Sequence, residues 1–433
     1  MGSIALFWFR RDLRLDDNVG LYHALDNETN VLPIFIFDSD ILSRLPKEDS
    51  RVYFLHQRIE ELNIELGKSK KKIHVFHGKP VDVFRKILKS NSVHAVYTNR
   101  DYEPYATKRD AEIKALFSKN GVSFSTFKDH VIFEQDEVVK SDGTPYRVYT
   151  PYSRAWLNKF EQQGHLKGHH IEDFEKLTTI PNHSNPSLSE IGFKTSKILA
   201  PQYNTSQQII DQYEAMRNTP SVAGTSKIGV HLRFGTLSIR KAVTKVLDSK
   251  NQTFLKELIW REFFMQILWH FPHTENQSFK PQYDRIEWRN NPDEFKRWCN
   301  GETGYPFVDA GMRELNETGF MHNRVRMLVG SFLCKHLLID WRLGEAYFAE
   351  KLLDYEMASN VGNWQWVAGC GVDAAPYFRI FNPTEQIKKF DKDHIYIKKW
   401  VPDYQTSSYP QPIVDHKMAR ERCLETYKSA LNK

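Results

Sequence analysis

A chain of 433 residues is too long for one hydrophobic core of ordinary size, so the sequence predicts two large domains. Its formal net charge of +6 permits a polyanionic partner without requiring one, and a hydrophobic content of 40% is typical of a globular protein. The four cysteines lie far apart, with no CxxC pair and no histidine-rich spacing, which argues against a metal site and favours reduced thiols.

The N-terminal segment carries no pattern of an export signal. Its apolar run, residues 4–9, is ended by arginines after six residues, too soon for a signal peptide or a membrane span. Myristoylation at Gly2 is not expected, because Leu6 stands where that motif has Ser or Thr. We therefore expect a cytoplasmic protein with no membrane partner.

Short β-rich runs alternate with amphipathic helical stretches in the first third of the chain. The runs cover residues 4–9, 31–37, 72–78, 94–99 and 122–128, and the stretches between them include 51–66, 81–89 and 105–119. Strands separated by helices predict an α/β domain over residues 1–130, with an open, doubly wound, mostly parallel sheet. No G-x-G-x-x-G follows a strand, so a classical dinucleotide site is not expected there.

The rest of the chain divides into a linker and a helical region. Residues 131–200 are polar and proline-rich, which predicts a long interdomain linker. From about residue 203 the apolar residues recur with a period of 3.6, so residues 201–433 are expected to form an all-α domain.

Two apolar helical stretches carry polar residues at helical spacing. In FLKELIWREFFMQILWHFP (254–272), positions i, i+3, i+4 and i+7 place on one face Glu257, Trp260, Arg261 and Phe264. In residues 304–333 one face of another helix carries Asn323, Arg326 and Met327. Either stripe alone has an ordinary interpretation, a core face with a snorkelling arginine.

A third apolar stretch, LLDYEMASNVGNWQW (352–366), adds Asp354, Glu356 and Asn360 beside Trp364 and Trp366. Carboxylates in an apolar stretch usually pair with arginine, so we predict an ion pair between Arg326 and Asp354. Polar groups among aromatics on three separated segments predict the walls of one pocket for a large, flat ligand with polar edges, and a flavin fits that description.

A Gly-Thr-Ser turn opens GTSKIGVHLRFGTLS (224–238) and leads into a helix. Free backbone N–H groups and hydroxyls at such a turn can hold phosphate. An ordinary Ser or Thr N-cap has the same pattern, so the turn alone does not predict a site.

These segments, with WFRRDLRLDDN (8–18) and GTPYRVYTPY (143–152), resemble the DNA photolyase/cryptochrome family. The motifs ELIWREF, TGYPFVDAGMREL, MHNRVRM, NVGNWQW and DAAPYFRIFNP occur in the family's order, and the resemblance covers essentially the whole chain. It implies an N-terminal α/β domain, a long linker and an all-helical FAD domain. Within the family the chain looks most similar to enzymes that split cyclobutane pyrimidine dimers in DNA with light and reduced FAD.

The resemblance implies a set of FAD contacts. The phosphates and ribityl chain would be held by Tyr213, Thr225, Ser226, Lys227, Ile228 and Arg261. Arg326 and Asp354 would be the ion pair against the isoalloxazine, and Asn360 would face N5, where photolyases carry Asn and plant cryptochromes carry Asp. Glu356 stands near the flavin where photolyases usually have Asp, and Gly229 where Ser is common; either departure is expected to alter FAD affinity without removing binding.

The resemblance also implies lesion contacts. Glu257 and Asn323 match residues placed against the edges of the dimer, where they stabilise its radical anion. A (6-4) photolyase has His at the position of Asn323, so this residue favours the cyclobutane lesion. The dimer must leave the duplex to reach the flavin, so the family has further residues that hold the flipped dimer and the DNA. By resemblance, Trp260 and Trp366 would pack on the flipped dimer, with Met327 beside them. Arg217 and Arg324 would contact DNA phosphates.

Two further features follow from the resemblance. Trp364, Trp341 and Trp288 match the family's three-tryptophan chain, which carries electrons to oxidised flavin, although each alone would be interpreted as a core residue. In DYEPYATKRD (101–110), Ala106 stands where folate-binding members carry a Glu, so a folate antenna is not expected. The EPY run looks closer to the deazaflavin-binding pattern, while a flavin antenna or none remains open.

Other functions within the family remain open as alternatives. A cryptochrome-type photoreceptor often has a long C-terminal extension, whereas this sequence stops soon after residue 409, and (6-4) repair is opposed by Asn323. A DASH-type relative acting on single strands would have terminal elaborations that are not evident here. A monomer is the family expectation.

Overall fold

The computed structural model describes residues 3–432, which divide into two compact units. The first unit comprises the residues up to Glu134, Phe160–Tyr203 and Ile228–Lys245. The second comprises Gln135–Lys159, Asn204–Lys227 and the residues from Val246 onward. Each unit is thus assembled from segments that are distant in the sequence.

The first unit is built on a parallel sheet. Its strands are β1 (Ile4–Phe9), β2 (Val31–Asp38), β3 (His74–Gly78), β4 (Val93–Asn99) and β5 (Ser123–Phe127). Their order is β3-β2-β1-β4-β5, and every neighbouring pair is parallel. Every residue of β2 is buried, which explains its unbroken apolar run. The predicted doubly wound α/β sheet is confirmed.

Helices connect and follow these strands. In chain order they are α1 (Val19–Asn27), α2 (Ser39–Leu42), α3 (Ser50–Gly67), α4 (Pro80–Ser90) and α5 (Pro104–Lys119). Proline opens α4 and α5, a position where its missing N–H costs nothing. The side chain of Asn18 caps α1 by accepting a hydrogen bond from the Leu21 N–H.

Part of the predicted linker belongs to the first unit, so the predicted boundaries at residues 130 and 200 do not coincide with those of the units. Although this segment is mostly polar, it contains a few apolar residues that are buried in the core. Leu177, Ile191 and Phe193 are buried in the core beneath the sheet, and Leu177 forms an isolated bridge with Val31. Residues 160–200 therefore pack as part of the first unit.

A buried network of charges explains why residues 228–245 also group with the first unit. Arg14 makes two hydrogen bonds to the Asp129 carboxylate, at 2.6 and 2.7 Å. Arg240 bridges Asp129 at 2.9 Å and Asp17 at 3.1 Å. Burial alone would raise the pKa of Asp129, but the two guanidinium groups hold it well below its usual range.

The remaining helices include those that form the helical unit. In chain order they are α6 (Tyr149–Gln163), α7 (Gln207–Met216), α8 (Gly229–Arg233), α9 (Ile239–Leu247), α10 (Thr253–His270), α11 (Pro292–Asn300), α12 (Pro306–Thr318), α13 (Asn323–Ser331), α14 (Trp341–Lys351), α15 (Met357–Ala368), α16 (Pro383–Phe390), α17 (Ile395–Trp400) and α18 (His416–Asn432). A π-helical turn, Phe332–His336, follows α13. Short 3₁₀ turns lie at Gln135–Glu137, Pro272–Glu275 and Pro281–Arg285.

Helix ends set the direction of the polar side chains in this unit. His322 caps α13 by accepting a hydrogen bond from the Arg324 N–H, so Asn323 is the first residue of that helix. α15 ends at Gly369, whose φ of +90° is readily adopted only by glycine. In residues 3–432 no helix is long and apolar enough to cross a membrane, and within that range no group of three potential metal-binding side chains is found.

Candidate active site

The helical unit contains a cavity of about 420 Å³, within the size range of small-ligand sites. Residues of α7, α10, α13, α14 and α15 and of the loop before α15 line it. The predicted site residues among them are Tyr213, Arg217, Glu257, Trp260, Arg261, Asn323, Arg326, Met327, Asp354, Glu356, Asn360, Trp364 and Trp366. The predicted faces of three separated helical segments therefore meet in one pocket.

The predicted ion pair between Arg326 and Asp354 is present at the cavity. Nη1 and Nη2 of Arg326 donate to the two carboxylate oxygens at 3.1 and 2.9 Å. The Nε atom donates to the Met321 carbonyl at 2.7 Å, which fixes the plane of the guanidinium. The pair offers a ligand one positive and one negative edge in a fixed orientation.

Asn360 is oriented by a residue that the sequence reasoning missed. Its Nδ2 atom donates to Glu345 Oε1 at 2.9 Å and to the Glu345 carbonyl at 3.2 Å. This leaves the Asn360 side-chain oxygen as the group to meet a ligand. Burial raises the pKa of Glu345, although hydrogen bonds from Asn360 and Tyr355 oppose that rise. The only signal of Glu345 in the sequence is its place four residues after Trp341, on the same helix.

A second ion pair joins Arg261 of α10 to Glu356. Arg261 Nε lies 3.2 Å from Glu356 Oε2, and Nη2 donates to Oε1 at 3.3 Å. Glu356 is buried and precedes α15 directly. The position where the family usually has Asp is therefore filled by a longer side chain that reaches Arg261.

A different part of the wall carries a third ion pair, between Arg217 and Glu257. The Arg217 guanidinium also lies over the Tyr213 ring, 5.5 Å from its centroid. Burial, together with the charge of Glu257, raises the pKa of Tyr213 to about 12. In this structure Arg217 thus neutralises Glu257, a contact that the sequence reasoning did not foresee.

Arg324 occupies the start of α13 next to Asn323. Its guanidinium donates to the Asn218 side chain and lies 4.4 Å above the centroid of the Phe390 ring. It also approaches the sulfur of Met327 at 3.6 Å. Burial, followed by the charge of Arg217, lowers the pKa of Arg324.

Four predicted phosphate contacts do not line this cavity: Thr225, Ser226, Lys227 and Ile228. Lys227 has a left-handed φ of +55°, and its Nζ atom lies 5.7 Å from the centroid of Phe320. Arg326 contacts the same ring at 5.6 Å, so this turn begins one aromatic ring away from the Arg326–Asp354 pair. A Cβ atom at Gly224 would overlap Met216, so the turn requires glycine there.

The three tryptophans of the predicted electron chain belong to one core. Trp364 lines the cavity, Trp341 is buried at the start of α14, and Trp288 packs at the edge of the same cluster. A Cβ atom built on Gly344 would overlap the Trp364 ring, so glycine allows α14 to approach α15 closely. Trp288 contacts the Tyr427 ring edge-on at 6.0 Å.

Other lining residues were not singled out from the sequence. They include Phe348, Leu352, Tyr355, Ser359 and Asn363. Ser359 and Asn363 flank Asn360 on α15 at positions that an extended helical pattern would have included. Phe348 comes from α14, and nothing in its local sequence distinguishes it from a core residue.

Comparison with known proteins agrees with this architecture. The family model of DNA photolyase matches residues 5–173, and the model of the FAD binding domain of DNA photolyase matches residues 254–407. The second match covers most of the cavity walls described above.

Full-length relatives are also similar. The deoxyribodipyrimidine photo-lyase of Agrobacterium fabrum is 34% identical, with 98% of this chain and 97% of that protein aligned. The crystal structure of a class III photolyase from Agrobacterium tumefaciens has a TM-score of 0.89 at 33% identity, covering 100% of this chain and 98% of that one. An archaeal photolyase from Sulfolobus tokodaii, described with two FAD molecules, has a TM-score of 0.85 at 32% identity, covering 99% and 100%.

A parallel α/β unit and a helical unit with a polar-edged aromatic cavity define a flavoprotein of the photolyase and cryptochrome fold. The chain belongs to the DNA photolyase family. The predicted family and the predicted enzyme class, deoxyribodipyrimidine photo-lyase, are confirmed. The matched FAD domain supports the predicted cofactor, and the relatives indicate light-dependent repair of pyrimidine dimers in DNA.

Proposed function

We propose that this protein repairs cyclobutane pyrimidine dimers in DNA by electron donation from light-excited, reduced FAD. One observation carries the proposal: a single cavity is lined both by the Arg326–Asp354 pair and Asn360 and by Glu257 and Asn323. The residues proposed for the cofactor and those proposed for the lesion thus line the same cavity. Bound FAD supplies the electron, and the residues of the chain bind, orient and exclude water.

The residues proposed to hold the flavin fit a ligand with polar edges. The Arg326–Asp354 pair presents a donor edge and an acceptor edge to the ligand. The ion pair with Glu356 fixes the position of the Arg261 guanidinium. Asn360, fixed by Glu345, offers an amide oxygen and no acidic proton to the group that it faces. The amide oxygen of Asn360 would accept a hydrogen bond from an N–H of the reduced ring, and the Arg326 guanidinium would stabilise the negative charge of that ring.

Glu257 and Asn323 are the proposed contacts to the dimer. A carboxylate accepts hydrogen bonds from the pyrimidine N–H groups, and an amide donates to the carbonyl oxygens, where negative charge develops. Photolyases are among the enzymes known to flip their target bases out of the duplex. A damaged pair stacks poorly and therefore leaves the duplex more easily. Trp260 and Trp366 would stack on the flipped bases, with Met327 beside them.

Arg217 and Arg324 are proposed to contact DNA phosphates. The Arg217–Glu257 ion pair adds a step to this role, because Arg217 must turn away from Glu257 for the carboxylate to meet the dimer. The side chains of Arg217 and Glu257 are both partly exposed, so breaking their ion pair has a small free-energy cost.

Trp364, Trp341 and Trp288 are proposed as the chain that reduces oxidised flavin. Trp364 lines the cavity, which supports its role as the first tryptophan of the chain to donate an electron to the flavin. Trp364→Phe should abolish photoreduction of oxidised flavin while sparing dimer repair by chemically reduced enzyme. Normal photoreduction in that variant would contradict the role.

For the first unit we propose a deazaflavin antenna rather than a folate. Ala106 lies buried in α5, and its methyl group cannot provide the carboxylate contact that holds a pterin. Reconstitution with each chromophore, followed by energy transfer measured as flavin excitation, tests this choice. Sensitised excitation with folate, or with a second flavin only, would refute it.

The main test uses DNA with one thymine cyclobutane dimer, the FAD-reduced protein and near-UV or blue light. Restored thymines are quantified against a dark control and a (6-4) substrate. Light-dependent repair of the dimer alone is the expected result. Repair of the (6-4) substrate would favour that alternative, and no repair with FAD bound would favour a photoreceptor.

A further inference from the structure

The most closely stacked aromatic pair of the site lies on the cavity wall. The ring of Tyr149, the first residue of α6, lies parallel to that of Trp260, with centroids 3.6 Å apart and an angle of 6° between the planes. Trp260 lines the cavity, whereas Tyr149 does not. Tyr149 therefore supports Trp260 without itself forming part of the cavity wall.

Tyr149 is itself fixed from several directions. Its hydroxyl donates to the Lys256 carbonyl at 2.7 Å, and its backbone N–H donates to the Asp373 carboxylate at 3.1 Å. Its ring meets the edge of Phe263 at 5.9 Å. The ring is thus fixed by Lys256 and Phe263, two turns apart on α10, and its backbone by Asp373 in the segment after α15.

Two other rings, within the residues that the structure describes, pack against Trp260 less closely than Tyr149 does. Phe263 meets its ring edge-on at 5.6 Å, and Phe264 lies 5.5 Å away at 30°. The Phe264 ring is therefore only loosely stacked on Trp260, with a wider spacing and a larger tilt than the Tyr149 ring. The tilt of Trp260 is therefore set mainly by Tyr149.

We propose that Tyr149 is a positioning residue for the lesion: it holds the plane of Trp260 so that the opposite face is a preformed stacking surface for the flipped pyrimidine dimer. This inference rests on the proposed function. A ring held in its bound orientation loses less freedom on binding, so preorganisation appears as tighter binding of the dimer, with little effect on undamaged DNA.

The test compares dissociation constants of the full-length, FAD-loaded protein for a duplex with one thymine dimer and for the same duplex undamaged. Immobilising one side chain corresponds to a change of about 2-fold to 12-fold in affinity. Tyr149→Leu, which removes the stack, is expected to weaken dimer binding by about tenfold and to leave undamaged DNA unchanged. Repair yield at saturating DNA and the flavin absorption spectrum should stay near those of the wild type.

Two variants separate positioning from simple packing. Tyr149→Phe keeps the ring and should stay within about threefold of the wild type. Tyr146→Leu is the matched control, because Tyr146 precedes the same helix and contacts Tyr152 rather than Trp260. It should leave discrimination between damaged and undamaged DNA unchanged.

A graded series keeps the proposal testable when Tyr149→Leu lowers stability more than Tyr146→Leu. Discrimination should then fall in the order Phe, His, Leu at position 149. Equal weakening for both DNAs, or no graded order, overturns the proposal. Wild-type protein that neither repairs nor discriminates the dimer would instead overturn the proposed function, which is a separate result.

Discussion

Two ion pairs, one from each unit, differ in their access to water. In the first unit the side chains of Arg14 and Asp129 are 8% and 1% exposed. In the second, those of Arg217 and Glu257 are 24% and 32% exposed, and they line a cavity. A fully buried pair cannot change partners without a large desolvation cost, so its role is structural. A partly exposed pair can exchange its partner for a ligand at little cost, and two of the three pairs at the proposed site, Arg217–Glu257 and Arg326–Asp354, are of this kind.

The largest expected effect comes from breaking the buried network. Asp129→Ala leaves Arg14 buried without a carboxylate partner and Arg240 with Asp17 alone, and it should lower the free energy of unfolding by about 3–5 kcal/mol. Denaturant unfolding measures the change. Asp82→Ala, which breaks the exposed pair with Arg85 in the same unit, should change it by less than about 1 kcal/mol. Equal losses in the two variants would end the distinction between buried and exposed pairs.

At the cavity, the same type of substitution should act on the ligand instead of on the fold. Asp354→Ala removes one edge of the Arg326 pair and should weaken FAD binding by about 10-fold to 100-fold. The apoprotein should lose less than about 1 kcal/mol of stability. Fluorescence titration of FAD measures the affinity, and Asp354→Asn should give an intermediate value. Unaltered FAD affinity would contradict the placement of the flavin against this pair.

Glu257→Ala should act on repair and leave both FAD binding and stability nearly unchanged. Its carboxylate is partly exposed and paired only with Arg217, so its loss has a small cost for the fold. Removing one group that contacts the dimer should lower the repair yield about tenfold. The yield per absorbed photon is the measurement, with Glu214→Ala on the surface of α7 as the control. An unchanged yield would remove Glu257 from the lesion site.

The smallest effect concerns Glu345. Because burial raises the pKa of this carboxyl above its ordinary value of 4.5, the folded protein binds the proton more tightly than the unfolded chain. Stability should therefore fall as the pH rises from that ordinary value through the raised one. Glu345→Gln keeps an acceptor for Asn360 without the charge, so it should remove this part of the pH dependence of stability. Unfolding at pH 4 and pH 8 gives the comparison, and an identical pH dependence in both proteins would refute it.

The sequence predicted features that depend on neighbours along the chain better than features that depend on contacts between distant segments. β2 was located almost to the residue because it is buried on both faces, and helical spacing placed on one face the residues of α10 and of α13 that line the cavity. Glu345 and Tyr149 were missed as site residues because their partners lie on other elements. Residues 131–200 were interpreted as a linker, since the few buried anchors such as Leu177 are outnumbered by polar neighbours. The roles assigned to individual site residues remain predictions.

The close approach of α14 and α15 at Gly344 has a consequence for variation in this chain. The Trp364 ring fills the space that a methyl group would need, and the same ring forms part of the cavity wall. The absence of one carbon atom on the rear side of the wall therefore sets how far that wall stands from the cavity centre. A substitution of Gly344 would therefore push the Trp364 ring toward the cavity and change its shape, although Gly344 itself does not line the cavity.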